Sequence, residues 1–193
     1  GASGRNGGWL TNAITGGREQ YVPSHGRDAA ERFQRAMNET VDEVIRVAAA
    51  EGIDADIQKG GEFNVAYTPA QEARIRAFAA SEQQWAHTDL ELLESSAAMA
   101  KINIAHTRAA VWHPHCARIQ PAKLAAGLAD AVERAGVEIY ERTRAVEIAP
   151  HRVRTTHGTV SADTVVRATE GFTANLAGLH RLWLPMNSSL IAT

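Results

Sequence analysis

The chain opens on Gly1-Ala2-Ser3-Gly4-Arg5-Asn6-Gly7-Gly8, which sets glycines among the donors Ser3, Arg5 and Asn6. Glycine bares backbone N–H groups and tolerates positive φ, so a turn of this kind can build a nest for phosphate or another anion. The same residues also fit an ordinary glycine-rich surface loop. The dinucleotide pattern G-x-G-x-x-G occurs nowhere in the chain. A second group, His106, His113, His115 and Cys116, has the residue types that bind zinc, and a zinc-activated water would imply a hydrolase. Three of these residues crowd around Pro114 with no spaced second pair, which better fits a polar strand end beside a buried cysteine. Ser24-His25, Ser95-Ser96 and Ser188-Ser189 lie in no G-x-S-x-G elbow and read as caps and turns. Glu31, Glu39, Asp42 and Glu43 read as a solvated helix face. Trp9, Trp85, Trp112 and Trp183 read as core or half-buried anchors, and Trp9 follows directly on the glycine turn.

The elements that must position these residues are legible in outline. Residues 9–26 read as an extended loop. Phe33, Met37, Val41, Val44, Ile45 and Ala48 recur at spacings of three and four, which predicts a helix over about 28–51 stopped by Gly52. Phe63 to Tyr67 alternates as a strand. Thr68-Pro69-Ala70-Gln71 opens a helix, with a capping Thr, Pro at the first position and Gln at the third. That helix is expected to run to about Trp85, followed by a shorter one over Leu90 to Met99. Ala109 to His113 reads as a strand stopped by Pro114. Pro121 opens a helix with Leu124, Leu128, Val132 and Ala135 on one face, ended by Gly136. Strands are expected over Val137–Tyr140, Ala145–Ala149, Arg152–Thr156 and Val160–Ala168, with a turn at His157-Gly158. Val165-Val166 suggests two buried faces.

Composition bounds the class. The 193 residues are 45% hydrophobic, enough for a sizeable core, and 20 Lys and Arg against 22 Asp and Glu give a formal net charge of -2. No basic excess marks a nucleic-acid surface, and no apolar run reaches the ~20 residues of a membrane helix. One cysteine, Cys116, makes no internal disulfide, so the expectation is a cytoplasmic protein with neither nucleic acid nor membrane as partner. A glycine turn of this kind normally follows a strand, and the chain has no initiator Met. These two features suggest a piece of a longer protein.

Three segments in order carry a resemblance, and a fourth at the end of the chain extends it. The turn Gly1 to Gly8 resembles the segment after the second strand in the FAD-dependent glycine/D-amino-acid oxidase (DAO) family, most of all in its γ-glutamylputrescine oxidase-like branch. Arg118-Ile119-Gln120-Pro121-Ala122-Lys123-Leu124, with the helix to Gly136 and the run Val137–Tyr140, resembles that family's central helix and strand. Val165-Val166-Arg167-Ala168-Thr169-Glu170-Gly171 resembles its late strand and phosphate-side turn. Leu184-Pro185 to Ile191-Ala192-Thr193 resembles the strand that re-enters the substrate domain.

The resemblance implies a mixed α/β fold (α+β), part of a FAD/NAD(P)-binding Rossmann-like domain plus part of a substrate domain, lacking the first βαβ unit. It implies residues 1–60 and 116–180 in the FAD-binding domain, 61–115 in the substrate domain and 181–193 returning to it. The activity implied is oxidation of the C–N bond of a small amine or amino acid by FAD. Ser3 and Gly4 would face the pyrophosphate with Arg5 nearby, and Asn6, Gly7 and Gly8 would approach the ribityl chain and flavin ring. Ala145 or Val146 would meet adenine, and Ala168, Thr169 and Gly171 would close the pyrophosphate side. Glu170 departs from the small residue usual there. The family's G-x-G-x-x-G turn and ribose-binding acid belong upstream of Gly1, so this stretch alone is expected to be inactive and not to retain FAD tightly. An incomplete sheet exposes edges, which permits a homodimer. A zinc-dependent hydrolase using His106, His113, His115 and Cys116, and a non-catalytic fragment, are the alternatives.

Overall fold

The structure, a computed structural model, describes residues 2–184, 186 and 189. Most of the expected return over 181–193, and one half of Ser188-Ser189, therefore lies outside the described residues. The chain divides into two units, Gly1–Ala131 and Val132–Thr193.

In the first unit, strand β1 (Trp9–Thr11) leads through a 3-10 turn (Arg18–Tyr21) and a short helix α1 (Val22–His25) into the long helix α2 (Arg27–Ala50). Strands β2 (Gln58–Lys59) and β3 (Glu62–Ala66) follow, then α3 (Pro69–Glu82), β4 (Glu91–Glu94), α4 (Ser95–Lys101), β5 (Ala109–His113) and β6 (Cys116–Arg118). These strands form two antiparallel three-stranded sheets, ordered β1-β6-β2 and β3-β5-β4. Helix α5 (Pro121–Arg134) then crosses the division between the units.

Local chemistry explains where the long helices begin and end. Helix α2 closes in a Schellman motif: Ile53 N–H donates to Ala48 O (2.8 Å) and Gly52 N–H to Ala49 O (3.2 Å), with Gly52 at φ 70°. At the start of α3, Thr68 Oγ1 accepts from Gln71 N–H (3.3 Å) while Gln71 Oε1 accepts from Thr68 N–H (3.0 Å), the reciprocal capping box that residues 68–71 predict. The stripe on α2 buries Val41 and Ala48 as expected. It also buries Asn38, whose amide is hydrogen-bonded at both its oxygen and its nitrogen: Oδ1 accepts from Asn12 (2.7 Å) and Nδ2 donates to His87 O (2.9 Å).

Small side chains fill the interior of this unit. Ala66, Ala79, Ala98, Ala109 and Ala110 are all fully buried, and that smallness lets α3 and α4 approach the central strand β5 closely. Arg76 ties α3 to β4 by a bidentate pair with Glu94 at 2.7 Å.

Residues 9–26 hold more structure than a loop, because Trp9–Thr11 acquires a ladder from β6, with Thr11 opposite Cys116. Leu90 to Met99 is not one helix. Its first half is β4, recruited by β5 through Leu92 opposite Val111, and only Ser95 onward is helical. In both places a distant partner overrides the local pattern. Helix α3 stops at Glu82 rather than near Trp85.

The second unit is an antiparallel meander, β7 (Ala145–Ala149), β8 (Arg152–Thr155) and β9 (Thr159–Ser161), followed by a 3-10 helix Glu170–Asn175. Glu147 pairs across it with Arg154 at 3.0 Å. The turn at 156–158 is closed by Thr155 N–H to Gly158 O (2.7 Å). The expected strand Val137–Tyr140 is absent, and the expected strand Val160–Ala168 survives only as β9. Val137 is 52% and Val166 82% exposed, so the two buried faces expected at Val165-Val166 are not formed. An apolar run becomes a strand only when a neighbour satisfies its backbone, and among the described residues no strand pairs with residues 137–140 or 162–168.

Candidate functional site

The glycine turn is a built object rather than a slack loop. Ala2–Gly4 forms one 3-10 turn, with Arg5 N–H donating to Ala2 O at 3.1 Å. Asn6 clamps it from inside: Nδ2 donates to Ala2 O (3.3 Å) and Ser3 O (3.0 Å), and Oδ1 accepts from Gly8 N–H (2.9 Å). The polar atoms of Asn6 are thus committed to the turn itself. The Ser3 and Arg5 side chains are exposed, and Arg5 has no ion-pair partner among the described residues.

Gly8 anchors the turn. It is buried at φ 68°, Ile119 N–H donates to its carbonyl at 2.8 Å, and a Cβ there would collide with Ile119 O and lie 3.3 Å from Pro121 Cδ. A Cβ on Gly4 would lie 3.4 Å from Ala122 Cα, an ordinary contact, so packing does not demand glycine at position 4. The turn therefore sits against the first turn of α5, where unsatisfied N–H groups and the helix dipole favour an anion. Gly7 is exposed beside it.

In the second unit the structure brings Ala145, Val146 and Thr169 to one cavity of about 320 Å³, lined also by Arg144, Phe172, Asn175 and Leu176. Thr169 is pinned there: its hydroxyl lies 2.7 Å from that of Thr173, which is buried, and its carbonyl accepts from Phe172 N–H at 2.9 Å. Ala168 and Gly171 are exposed beside Thr169 and do not line this cavity. Nothing lies within 4 Å of a Cβ built on Gly171, and its φ is not positive, so nothing in the protein demands glycine there. Glu170 stands at a left-handed φ of 42°, and its carboxylate accepts the Gly171 N–H.

The zinc alternative does not assemble. His113 Nε2 faces Glu62 at 3.6 Å, His115 Nε2 meets Asp89 Oδ2 at 2.7 Å, and Cys116 Sγ accepts from Trp9 Nε1 at 2.7 Å. His106 sits apart in an exposed turn at φ 62°. His113, His115 and Cys116 are each committed to a different partner, and among the described residues no group of three or more His, Cys, Asp or Glu could hold a metal ion. Burial pushes the Cys116 thiol up, away from the thiolate that ligation or nucleophilic attack needs. No helix among the described residues is long and apolar enough to cross a membrane.

Arg18 and Glu82 escape any motif. No spacing marks them, yet Arg18 is 4% exposed and pairs with Glu82 at 2.5 Å across 64 residues of chain. Only the fold reveals this buried pair.

Comparison with known proteins bears on the whole chain. The model of the DAO family, described as FAD dependent oxidoreductase, matches residues 1–193. The chain is 29% identical to the gamma-glutamylputrescine oxidoreductase of Escherichia coli (strain K12), over 100% of this chain and 46% of that protein. It is 26% identical to the probable oxidoreductase OrdL of Rhizobium meliloti (strain 1021), over 91% of this chain and 42% of that protein. It thus spans about half the length of the curated relatives it matches. Among solved structures, glycine oxidase from Geobacillus kaustophilus superposes with a TM-score of 0.69 at 22% identity, over 93% of this chain and 48% of that one, a likeness of fold. With its full length matched, the chain belongs to the DAO family of FAD-dependent oxidoreductases.

Proposed function

We propose that this chain is part of a flavoenzyme that oxidises the C–N bond of a small amine or amino acid. The observation that carries the reading is the turn Ala2–Gly8. Asn6 fixes its shape, Gly8 seats it on α5, and it leaves Ser3 and the unpaired Arg5 exposed at a helix N-terminus. That donor set suits a pyrophosphate. The flavin, when bound, supplies the acceptor for the hydride that leaves the carbon beside the substrate nitrogen. Arg5 would neutralise a phosphate oxygen, Ser3 would donate to one, and Gly7 and Gly8 would keep the backbone free of side chains beside the cofactor. In the second unit Ala145, Val146 and Thr169 would offer an adenine a shallow apolar wall. Ala168 and Gly171 would stay small beside the pyrophosphate.

The same reading assigns residues 1–60 and 116–180 to a FAD-binding domain and 61–115 to a substrate domain, with 181–193 returning to it. A cytoplasmic setting belongs to it too, as does a homodimer paired through an edge such as β9. Names borne by the relatives support an amine or amino-acid substrate. The test is visible absorption after FAD is added and free flavin removed, on this chain and on the full reading frame that encodes it. The full reading frame should keep a flavin band that an amine or amino acid bleaches. A full-length protein that keeps no flavin overturns the reading.

A further inference from the structure

Trp9 is set the wrong way round for a surface tryptophan. Such a side chain ordinarily buries its ring and keeps its N–H at the wet end. Here the indole Nε1–H donates inward to the buried Cys116 Sγ at 2.7 Å, and the residue is left 64% exposed. Its backbone is held as firmly. Trp9 pairs with Arg118 in the β1-β6 ladder and directly follows Gly8, whose carbonyl is bound by Ile119 N–H. The other indoles of this unit already have partners: Trp85 lies under Arg18 and Arg27, at 4.8 and 4.2 Å, and Trp112 under Lys101 at 4.1 Å. Among the described residues no ring or cation packs on Trp9. A ring tethered in an exposed position adds little to the core, and its fixed plane is preorganised for a planar partner.

The residues beside Trp9 decide what kind of partner fits. In register across the sheet, Arg118 stands opposite Trp9, and Gln58 stands opposite Arg118 on its other side. Directly opposed residues set their side chains on one face. All three are exposed, and Arg118 has no ion-pair partner among the described residues. An apolar protein surface laid over Trp9 would bury that unpaired guanidinium beside it, which is costly. A flat heteroaromatic ring with carbonyl groups at its edge avoids the cost, since its face meets the indole and its edge accepts from the guanidinium. The glycine turn next to Trp9 suits the anionic part of the same molecule.

We propose that the indole of Trp9 is a wall on which the flavin ring packs, held in place by its N–H bond to Cys116. This rests on the flavin reading above and adds to it a residue that touches the ring. The test uses the full reading frame that encodes the chain, as wild type, Trp9→Ala and Trp9→Phe, with FAD titrated into the flavin-free protein. An electron-rich indole quenches an excited flavin on contact, whereas a phenyl ring fills much of the same space without quenching. Trp9→Ala should therefore bind FAD roughly tenfold more weakly, and Trp9→Phe should keep most of the affinity. In both variants the bound flavin should emit more strongly than in wild type. Should Trp9→Ala fail to fold, the emission from Trp9→Phe decides by itself. Bound flavin whose emission is the same in wild type and variants overturns this proposal and leaves the flavin reading standing. A wild-type protein that holds no flavin overturns both.

Discussion

Ile119 is bound to Gly8 by its N–H and crowded against it by its C=O. The N–H donates to the Gly8 carbonyl at 2.8 Å, while the Ile119 oxygen fills the space that a Cβ at position 8 would need. The glycine turn is thereby fixed to the start of α5 by a contact that only glycine permits, at a φ of 68°.

Gly8→Ala should therefore be among the more damaging substitutions available. The left-handed backbone costs about 1–2 kcal/mol for a residue with a Cβ. Overpacking against Ile119 adds roughly 1–3 kcal/mol. Denaturant unfolding should register a loss near the sum of the two. A loss under about 0.5 kcal/mol, the level of an ordinary surface change, contradicts the contact.

Gly127→Ala pits two effects of known sign against each other. Ala is favoured over Gly in a helix by about 1 kcal/mol. A Cβ at 127 would lie 3.1 Å from Ile53 Cβ and closer still to its Cγ2, so the helix would have to move away from Ile53. Overpacking of roughly 1–3 kcal/mol should win, and the variant should melt lower. Ile53→Ala, which removes both γ carbons, should recover part of the loss, and a double-mutant cycle should show coupling above about 0.5 kcal/mol.

His113 should make stability fall in mild acid. Burial, partly opposed by Glu62 and reinforced by His115, holds its imidazole below the ordinary value of 6.5. Between its folded value and 6.5 the unfolded chain binds the extra proton and the folded chain does not, so stability rises with pH in that window. It should be complete above pH 6.5 and drain away as the pH drops below it. Melting temperatures of wild type and His113→Asn across this range provide the check, and the variant should give the flatter curve.

Glu170 pairs a left-handed backbone with a carboxylate folded onto the Gly171 N–H. Glu170→Gly should relieve about 1 kcal/mol of backbone strain and free that N–H for another anion. Urea unfolding should record a gain in stability, and flavin retention by the full reading frame should rise with it. A variant less stable than wild type would show that the Glu170 carboxylate holds this turn together.

How far the sequence reached depended on the range of the interactions involved. Helix α2 with its Gly52 stop and the capping box at Thr68 were legible because their partners lie within a few residues, so composition specifies them directly. The glycine turn was legible as a turn for the same reason. The clamp made by Asn6 and the seat on Ile119 were not, since residue 119 lies far along the chain. Strands β1 and β4 were missed, and Val137–Tyr140 and Val166 were overread. Strand formation is settled by a neighbour's unpaired backbone, which no local pattern records. The buried pair of Arg18 and Glu82 lay beyond the sequence altogether. The two share no spacing, and their pairing exists only once α3 closes over the turn at Arg18. Short-range hydrogen bonding was written in the order of the residues; who is buried beside whom was decided by packing.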